Sequence, residues 1–200
     1  MEIKKLANNI FNFGIRRFIE LMALATSLIG LLLLISVISY SPEDPNFIFP
    51  KDTVIKNILG FYGSFISDIF LQSFGLISFL IPFSLIFTGV NIFFNKKILM
   101  VIESLFYITL YSFLGSLFYS VYYSESFKLY INGNGGFIGN YLKTTSLSSL
   151  INLNIQFSYY TILLGVLILF LMSVQFKVLS FFKLTKKMIG FLFTKKSKNY

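Results

Sequence analysis

Few residues in this sequence are of the types that catalyse reactions or bind metal ions. The 200 residues include no Cys and no His, so thiolate nucleophiles, disulfides and the commonest metal ligand and general base are all missing. The 8 Asp and Glu residues form no catalytic cluster. We therefore predict no catalytic, cofactor-binding or metal-binding residues, and a chain that is not an enzyme.

One segment near the end of the sequence resembles a phosphate-binding loop. Residues 190–197 begin with the first glycine of that motif and end with its Lys-Ser pair. The second glycine, which lets the backbone surround the phosphates, is replaced by Lys195, and no strand pattern precedes the segment. The segment therefore predicts no ATP site.

Three acidic residues lie at the ends of long apolar stretches. Glu20 follows Arg16 by four residues, the spacing of a helical ion pair. Glu103 lies near Lys96, and Asp68 begins the second stretch, where an acid complements the helix dipole. Transport paths are usually marked by charges in mid-membrane, where each is costly. The positions at the ends of the stretches predict structural roles instead.

These polar residues belong to a chain that is mostly apolar. Hydrophobic residues make up 56% of it and charged residues 12%, where soluble domains have about a quarter charged. The 26 Phe and 12 Tyr add to an apolar surface that one small core cannot bury. The composition excludes a soluble enzyme, a disordered tail and a polar basic nucleic-acid domain. It predicts an all-α integral membrane protein.

Four stretches are long enough to cross a bilayer, which takes about 20 apolar residues in a helix. We predict transmembrane helices over about residues 20–40, 69–94, 100–122 and 157–176. The predicted domain organisation is a basic segment at 1–17, a membrane domain at 18–176 and a Lys-rich juxtamembrane tail at 177–200. A cleaved signal peptide is the alternative for the first helix, but its apolar run exceeds the usual length of about 7–15 residues.

Basic residues are concentrated in the segments on one side of the predicted helices. Those segments hold Lys4, Lys5, Arg16, Arg17, Lys96, Lys97 and the lysines of residues 177–200. The other side holds only Lys51, Lys56, Lys128 and Lys143. The positive-inside rule therefore predicts two in-out-in hairpins with both termini in the cytoplasm. We expect the basic tail to contact anionic lipid rather than DNA.

Two amphipathic segments are predicted on the outer surface, at residues 53–68 and 137–151. They share a pattern, since Gly60-Phe61-Tyr62-Gly63-Ser64-Phe65-Ile66 aligns with Gly136-Phe137-Ile138-Gly139-Asn140-Tyr141-Leu142. The similarity indicates either a parallel repeat of one helix–segment–helix unit or a coincidence in a biased composition.

Small residues four apart predict close approach of helices. The pairs are Ala23/Ser27, Thr26/Gly30, Ser112/Ser116 and Thr161/Gly165. They can pack one bundle internally or join subunits, and the sequence leaves both readings open. Pro82, inside the second span, predicts a kink.

Several short motifs resemble the four-helix membrane domain of the FtsK/SpoIIIE DNA translocases. Ser39-Tyr40-Ser41-Pro42-Glu43-Asp44-Pro45 directly after the first helix is similar to that family's post-helix signature. The other matching motifs are Asn57-x-x-Gly60-x-x-Gly63, Ser67-Asp68, Phe74-Gly75, Pro82 and Gly135-Gly136-x-Ile138-Gly139. The resemblance covers about residues 10–180.

The resemblance implies a membrane anchor of a septal DNA translocase in the bacterial inner membrane. In that family four helices anchor a hexameric ATPase that pumps double-stranded DNA during chromosome segregation, and the membrane domain takes part in divisome assembly. It implies a homo-oligomer with divisome membrane proteins as partners, and a motor domain absent from these residues. The alternatives are a small four-helix channel or transporter and a structural membrane protein of the envelope.

Overall fold

The computed structural model describes residues 2–45, 54–125, 129, 131–145, 149, 151 and 153–175. Its helices are α1 (Glu2–Ile38), α2 (Gly60–Phe74), a short 3₁₀ helix (Gly75–Phe79), α3 (Leu80–Asn95), α4 (Met100–Tyr122), α5 (Gly136–Lys143) and α6 (Ile155–Ser173). Four stretches are long and apolar enough to cross a membrane: Asn8–Ile38, Gly60–Asn95, Met100–Tyr122 and Ile155–Ser173. The prediction of an all-α protein with four membrane helices is confirmed.

The helix ends differ from the predicted spans because hydropathy marks only the apolar part of a helix. Helix α1 continues back through the basic segment to Glu2, since charged side chains are compatible with helix outside the lipid. Helix α6 begins at Ile155, where the Asn154 side chain accepts a hydrogen bond from the Phe157 N–H at 3.0 Å. The predicted tail, 177–200, and its near-match to a phosphate-binding loop lie outside the described residues.

The first hairpin is held by backbone contact between α1 and α3. A Cβ atom on Gly30 would lie 2.8 Å from the backbone nitrogen of Ile86, and one on Gly89 would lie 2.5 Å from the carbonyl oxygen of Ala23. The Ser27 hydroxyl also donates to the Ile86 carbonyl at 3.2 Å. The small-residue pairs of α1 therefore serve packing within one chain.

The second hairpin pairs α4 with α6, and the small residues of α4 pack on the end of α2 and on the 3₁₀ helix. The Ser116 hydroxyl donates to the Phe74 carbonyl at 2.8 Å, and Gly115 leaves space for Ile77. On α6, Thr161 is exposed, and a Cβ on Gly165 would meet nothing nearer than Leu114 at 3.9 Å. The α6 pair thus makes no close packing contact with the residues that the structure describes.

A cluster of hydroxyl groups joins α3, α4 and α6 inside the bundle. We call it the hydroxyl cluster, and its members are Ser84, Thr88, Ser104, Tyr111 and Ser173, all fully buried. The Ser84 oxygen lies 3.0 Å from that of Tyr111 and 2.7 Å from that of Ser173. Thr88 donates to Ser104 at 2.6 Å. Because these groups bond to one another, they hold the helices together in a medium that offers no water.

Regular α-helical geometry is interrupted before Pro82 and not at the proline itself. Gly75, with a φ of +72°, ends α2, and the 3₁₀ helix leads into α3. Pro82 is the third residue of α3, in the first turn, where its missing N–H leaves no helical hydrogen bond broken. The interruption of regular α-helix in this stretch therefore lies at Gly75 and the 3₁₀ helix, and the kink predicted at Pro82 stays a prediction.

Glu20 joins the two ends of the first hairpin through its ion pair with Lys96. It contacts Arg17 and Lys96, each at 2.6 Å. The predicted partner Arg16 is replaced by Arg17, one residue nearer on the same helix. Lys96 reaches Glu20 because the packing of α1 on α3 brings the turn after α3 beside α1. Lys96 thus pairs with Glu20 and not with Glu103, which is exposed in the first turn of α4.

Candidate functional site

The residues of the short motifs come together at one end of the bundle. This end, which we call the capped end, is formed by the last turn of α1, the start of α3, and the helices α2 and α5. The opposite end carries Arg16, Arg17, Lys96 and Lys97, and we call it the basic end.

Asp44 fastens the segment after α1 to the entry of α2. Its side chain is buried, with 1% of its surface exposed. One carboxylate oxygen accepts the backbone N–H of Lys56 at 2.8 Å and the other accepts that of Asn57 at 2.9 Å. Two N–H donors compensate the loss of water around the carboxylate. The neighbouring Glu43 is exposed and forms an ion pair with Lys56, and this ammonium lowers the pKa of Glu43.

Asn57 locks α2 onto α1. Its amide nitrogen donates to the Ser36 carbonyl at 2.9 Å, and its amide oxygen accepts the Leu59 N–H at 3.1 Å. The Ser36 hydroxyl in turn donates to the Gly63 carbonyl at 2.5 Å. A Cβ on Gly63 would lie 2.2 Å from the Asn57 amide oxygen, so the contact requires glycine.

A chain of side-chain hydrogen bonds crosses the capped end through Asp68. The Tyr40 hydroxyl lies 3.3 Å from an Asp68 carboxylate oxygen, which also accepts from the Gln72 amide at 3.4 Å. The Gln72 oxygen accepts from Asn132 at 3.1 Å. Asp68 lies in the interior of α2, because this helix begins at Gly60, so the predicted role at a helix start is wrong.

The Phe74-Gly75 motif packs directly on the Gly135-Gly136 motif. The Leu76 N–H donates to the Asn134 carbonyl at 2.9 Å. A Cβ on Gly75 would lie 1.9 Å from that carbonyl oxygen, and one on Gly136 would lie 2.5 Å from the Gly75 nitrogen. Both glycines have positive φ, which side chains disfavour. The two hairpins therefore contact each other through the backbone atoms of Gly75, Asn134 and Gly136.

The two segments with the shared pattern begin with the same local geometry. Gly60 and Gly136 both have a φ of +65°, and each N–H donates to the carbonyl three residues before it. Each segment then stacks two aromatic rings one helical turn apart, Phe61 on Phe65 at 6.2 Å and Phe137 on Tyr141 at 6.5 Å. Each segment also follows a helix that packs on the helix after it. The two segments are thus similar in local structure and not only in sequence. Their helices differ in length, because α2 ends at Phe74 and α5 ends at Lys143.

The arrangement can position helices but offers no reactive group. The buried carboxylates and amides of the capped end bind one another or the backbone. Among the described residues no three His, Cys, Asp or Glu side chains are grouped to hold a metal ion. Sequence reasoning marked Asp44, Asn57 and Gly63 through their motifs but missed Ser36, a serine in an apolar run with no local signal of its role.

The comparisons with known proteins match this chain to a membrane region. The family model described as the 4TM region of DNA translocase FtsK/SpoIIIE matches residues 15–186. The chain is 35% identical over 72 residues to DNA translocase FtsK of Rickettsia bellii, and 32% identical over 77 residues to that of Rickettsia prowazekii. These matches cover 36% and 38% of this chain and 10% of each relative. No solved structure gives a significant match.

Proposed function

The chain belongs to the family of four-helix membrane regions of the FtsK/SpoIIIE DNA translocases, and on that premise we propose that it anchors a translocase at the division septum. It is a membrane-anchor region in the bacterial inner membrane, and the match spans about a tenth of its relatives' length, so their motor lies outside it. The proposed role is to localise and oligomerise that motor, or its partners, in cell division and chromosome segregation.

The observation that carries the proposal is the convergence of the motifs at the capped end. Asp44 accepts the Asn57 N–H there, and Gly136 of the second hairpin packs on Gly75 of the first. These contacts between the two hairpins support the proposal that the capped end acts as one binding surface. Divisome membrane proteins are the proposed partners of that surface.

The distribution of charge supports an orientation with the basic end in the cytoplasm. Arg16, Arg17, Lys96 and Lys97 all lie at that end, beside the membrane. Basic residues next to a membrane helix favour the cytoplasmic side. A motor attached after residue 200 would then lie on the same side as DNA, with the tail against anionic lipid.

The exposed surface of α6 supports an oligomer. Its apolar side chains Leu163, Leu164, Leu167 and Ile168 are exposed, and Thr161 and Gly165 leave a shallow surface beside them. Small residues of this kind let two helices approach closely in lipid. We propose that α6 is the contact between subunits, which would raise the local concentration of attached motors.

The hydroxyl cluster favours an anchor over a channel or transporter. A transport path needs polar groups that are free to bind a solute or water. Here the groups of Ser84, Thr88, Ser104, Tyr111 and Ser173 are buried and bonded to one another. These five groups are thus engaged in joining helices, whereas the buried Ser112 hydroxyl of α4 has no hydrogen-bond partner among the described residues.

The proposal is tested by the position of a fluorescent fusion of the whole chain in dividing cells. We expect a band at the septum for the natural sequence and for E43Q, whose side chain is exposed. D44N should weaken the band, because it disturbs the capped end. An even signal around the envelope of dividing cells, for the natural sequence, would contradict the septal role.

A further inference from the structure

An apolar cavity lies between α2 and the membrane helices α1 and α3. Its volume is about 600 Å³. Leu32 and Leu33 of α1 form one wall, and Ile66 and Phe70 of α2 form the opposite one. The cavity is open to the outside of the bundle, and Leu32 and Ile66 of its lining are both exposed.

Only two polar side chains line the cavity, Ser36 and Tyr62. Ser36 donates its hydroxyl to the Gly63 carbonyl at 2.5 Å, and Tyr62 is 78% exposed. A cavity with walls this apolar does not hold water well. In a membrane protein the medium beside such an opening is hydrocarbon, so the occupant must be apolar.

The size of the cavity distinguishes between apolar occupants. A helix with its side chains is about 10–12 Å wide and rises about 5.4 Å per turn, so 600 Å³ accommodates roughly one turn of it. A membrane helix from a second copy or a partner would therefore not fit between α2 and the bundle. A single hydrocarbon chain is narrow enough to enter from the side.

We propose that this cavity binds one acyl chain of a membrane phospholipid. An empty cavity would leave the side chains of Leu32, Ile66 and Phe70 without dispersion contacts on one side, and an inserted chain restores them. Because lipid tails are as apolar as leucine, these contacts and the shape of the site drive binding, with no transfer from water needed. The bound acyl chain contacts α2 and so links the capped end to the surrounding bilayer.

The test measures phospholipid retained by the full chain. The protein is reconstituted in vesicles of phosphatidylethanolamine and phosphatidylglycerol, transferred to detergent and weighed by native mass spectrometry. We expect one retained phospholipid per chain for the natural sequence. I66W and L32W, which place a large ring in the cavity, should lose it. L28W is the matched control, since Leu28 is exposed on α1 and does not line the cavity.

Circular dichroism of each variant separates loss of lipid from loss of fold, and two filling variants protect against one of them misfolding. Retention of lipid by helical I66W and L32W at the level of L28W would overturn the proposal. So would a natural protein that keeps no phospholipid.

Discussion

Gly63 lies so close to Asn57 that a single added carbon would reach within 2.2 Å of the asparagine amide oxygen. Gly63 thus leaves the space in which the Asn57 amide binds α1. A substitution at either residue disturbs both the contact between Gly63 and Asn57 and the hydrogen bond from Asn57 to α1.

We expect G63A to destabilise the chain by about 1–3 kcal/mol, the usual cost of overpacking a tight site. The measurement is the free energy of unfolding in mixed detergent micelles. The matched control is G165A, because a Cβ there meets its nearest neighbour at 3.9 Å. Equal stability of G63A and the natural chain would show that α2 does not need this contact.

Asp44 and Glu43 are neighbours with opposite environments, and their variants should differ. D44N replaces a buried carboxylate that accepts two backbone N–H bonds, and we expect a loss of about 1–3 kcal/mol. E43Q removes only an exposed ion pair, so its effect at neutral pH should be small. Unfolding in detergent measures both, and a larger effect for E43Q would contradict the structure.

The Glu43–Lys56 pair gives a pH dependence with a definite sign. Lys56 lowers the pKa of Glu43 from its ordinary value of 4.5, so the pair stabilises the folded chain above that value. The contribution is lost as the pH falls through the lowered pKa. A stability profile from pH 7 to pH 3 should therefore show a small acid-side decline that E43Q removes. An identical decline in E43Q would assign it to other groups.

Ser84 and Ser173 should be coupled although they lie on different helices. Their hydroxyl oxygens are 2.7 Å apart, and interhelical hydrogen bonds of this kind contribute about 0.6 kcal/mol on average in membranes. A double-mutant cycle with S84A, S173A and the double variant measures the coupling. T109A is a control, because Thr109 is exposed and bonds within its own helix. Additive effects of S84A and S173A would mean that the bond contributes nothing.

Gly165 and Gly30 should separate assembly from folding. G165L blocks the shallow surface of α6, and we expect it to abolish oligomers while leaving the free energy of unfolding of one chain unchanged. G30L should unfold the first hairpin, because even a Cβ would lie 2.8 Å from the Ile86 nitrogen. Cross-linking in vesicles measures assembly. Oligomers in G165L like those of the natural chain would exclude α6 as the subunit contact.

The spans were predictable from the sequence because hydropathy depends on composition alone. The capped end was predictable only as motifs, since a motif shows which residues matter and not what they bind. The hydroxyl cluster was missed because Ser84, Thr88 and Ser104 lie in apolar runs, where a serine facing a neighbouring helix and one facing lipid look the same. The position of Asp68 was misjudged because Gly75, and not the start of the apolar run, separates α2 from the membrane helix.

The hydroxyl cluster bears on how the fold responds to the electrical state of the cell. A unit charge moved across a potential of 100 mV changes in energy by about 2.3 kcal/mol, which lets charged helices act as voltage sensors. The side chains of the hydroxyl cluster, which join α3, α4 and α6, are all uncharged. The stability of these hydrogen bonds is therefore the same in an energised membrane and in a depolarised one. The attachment of any domain that these helices anchor is equally independent of the potential.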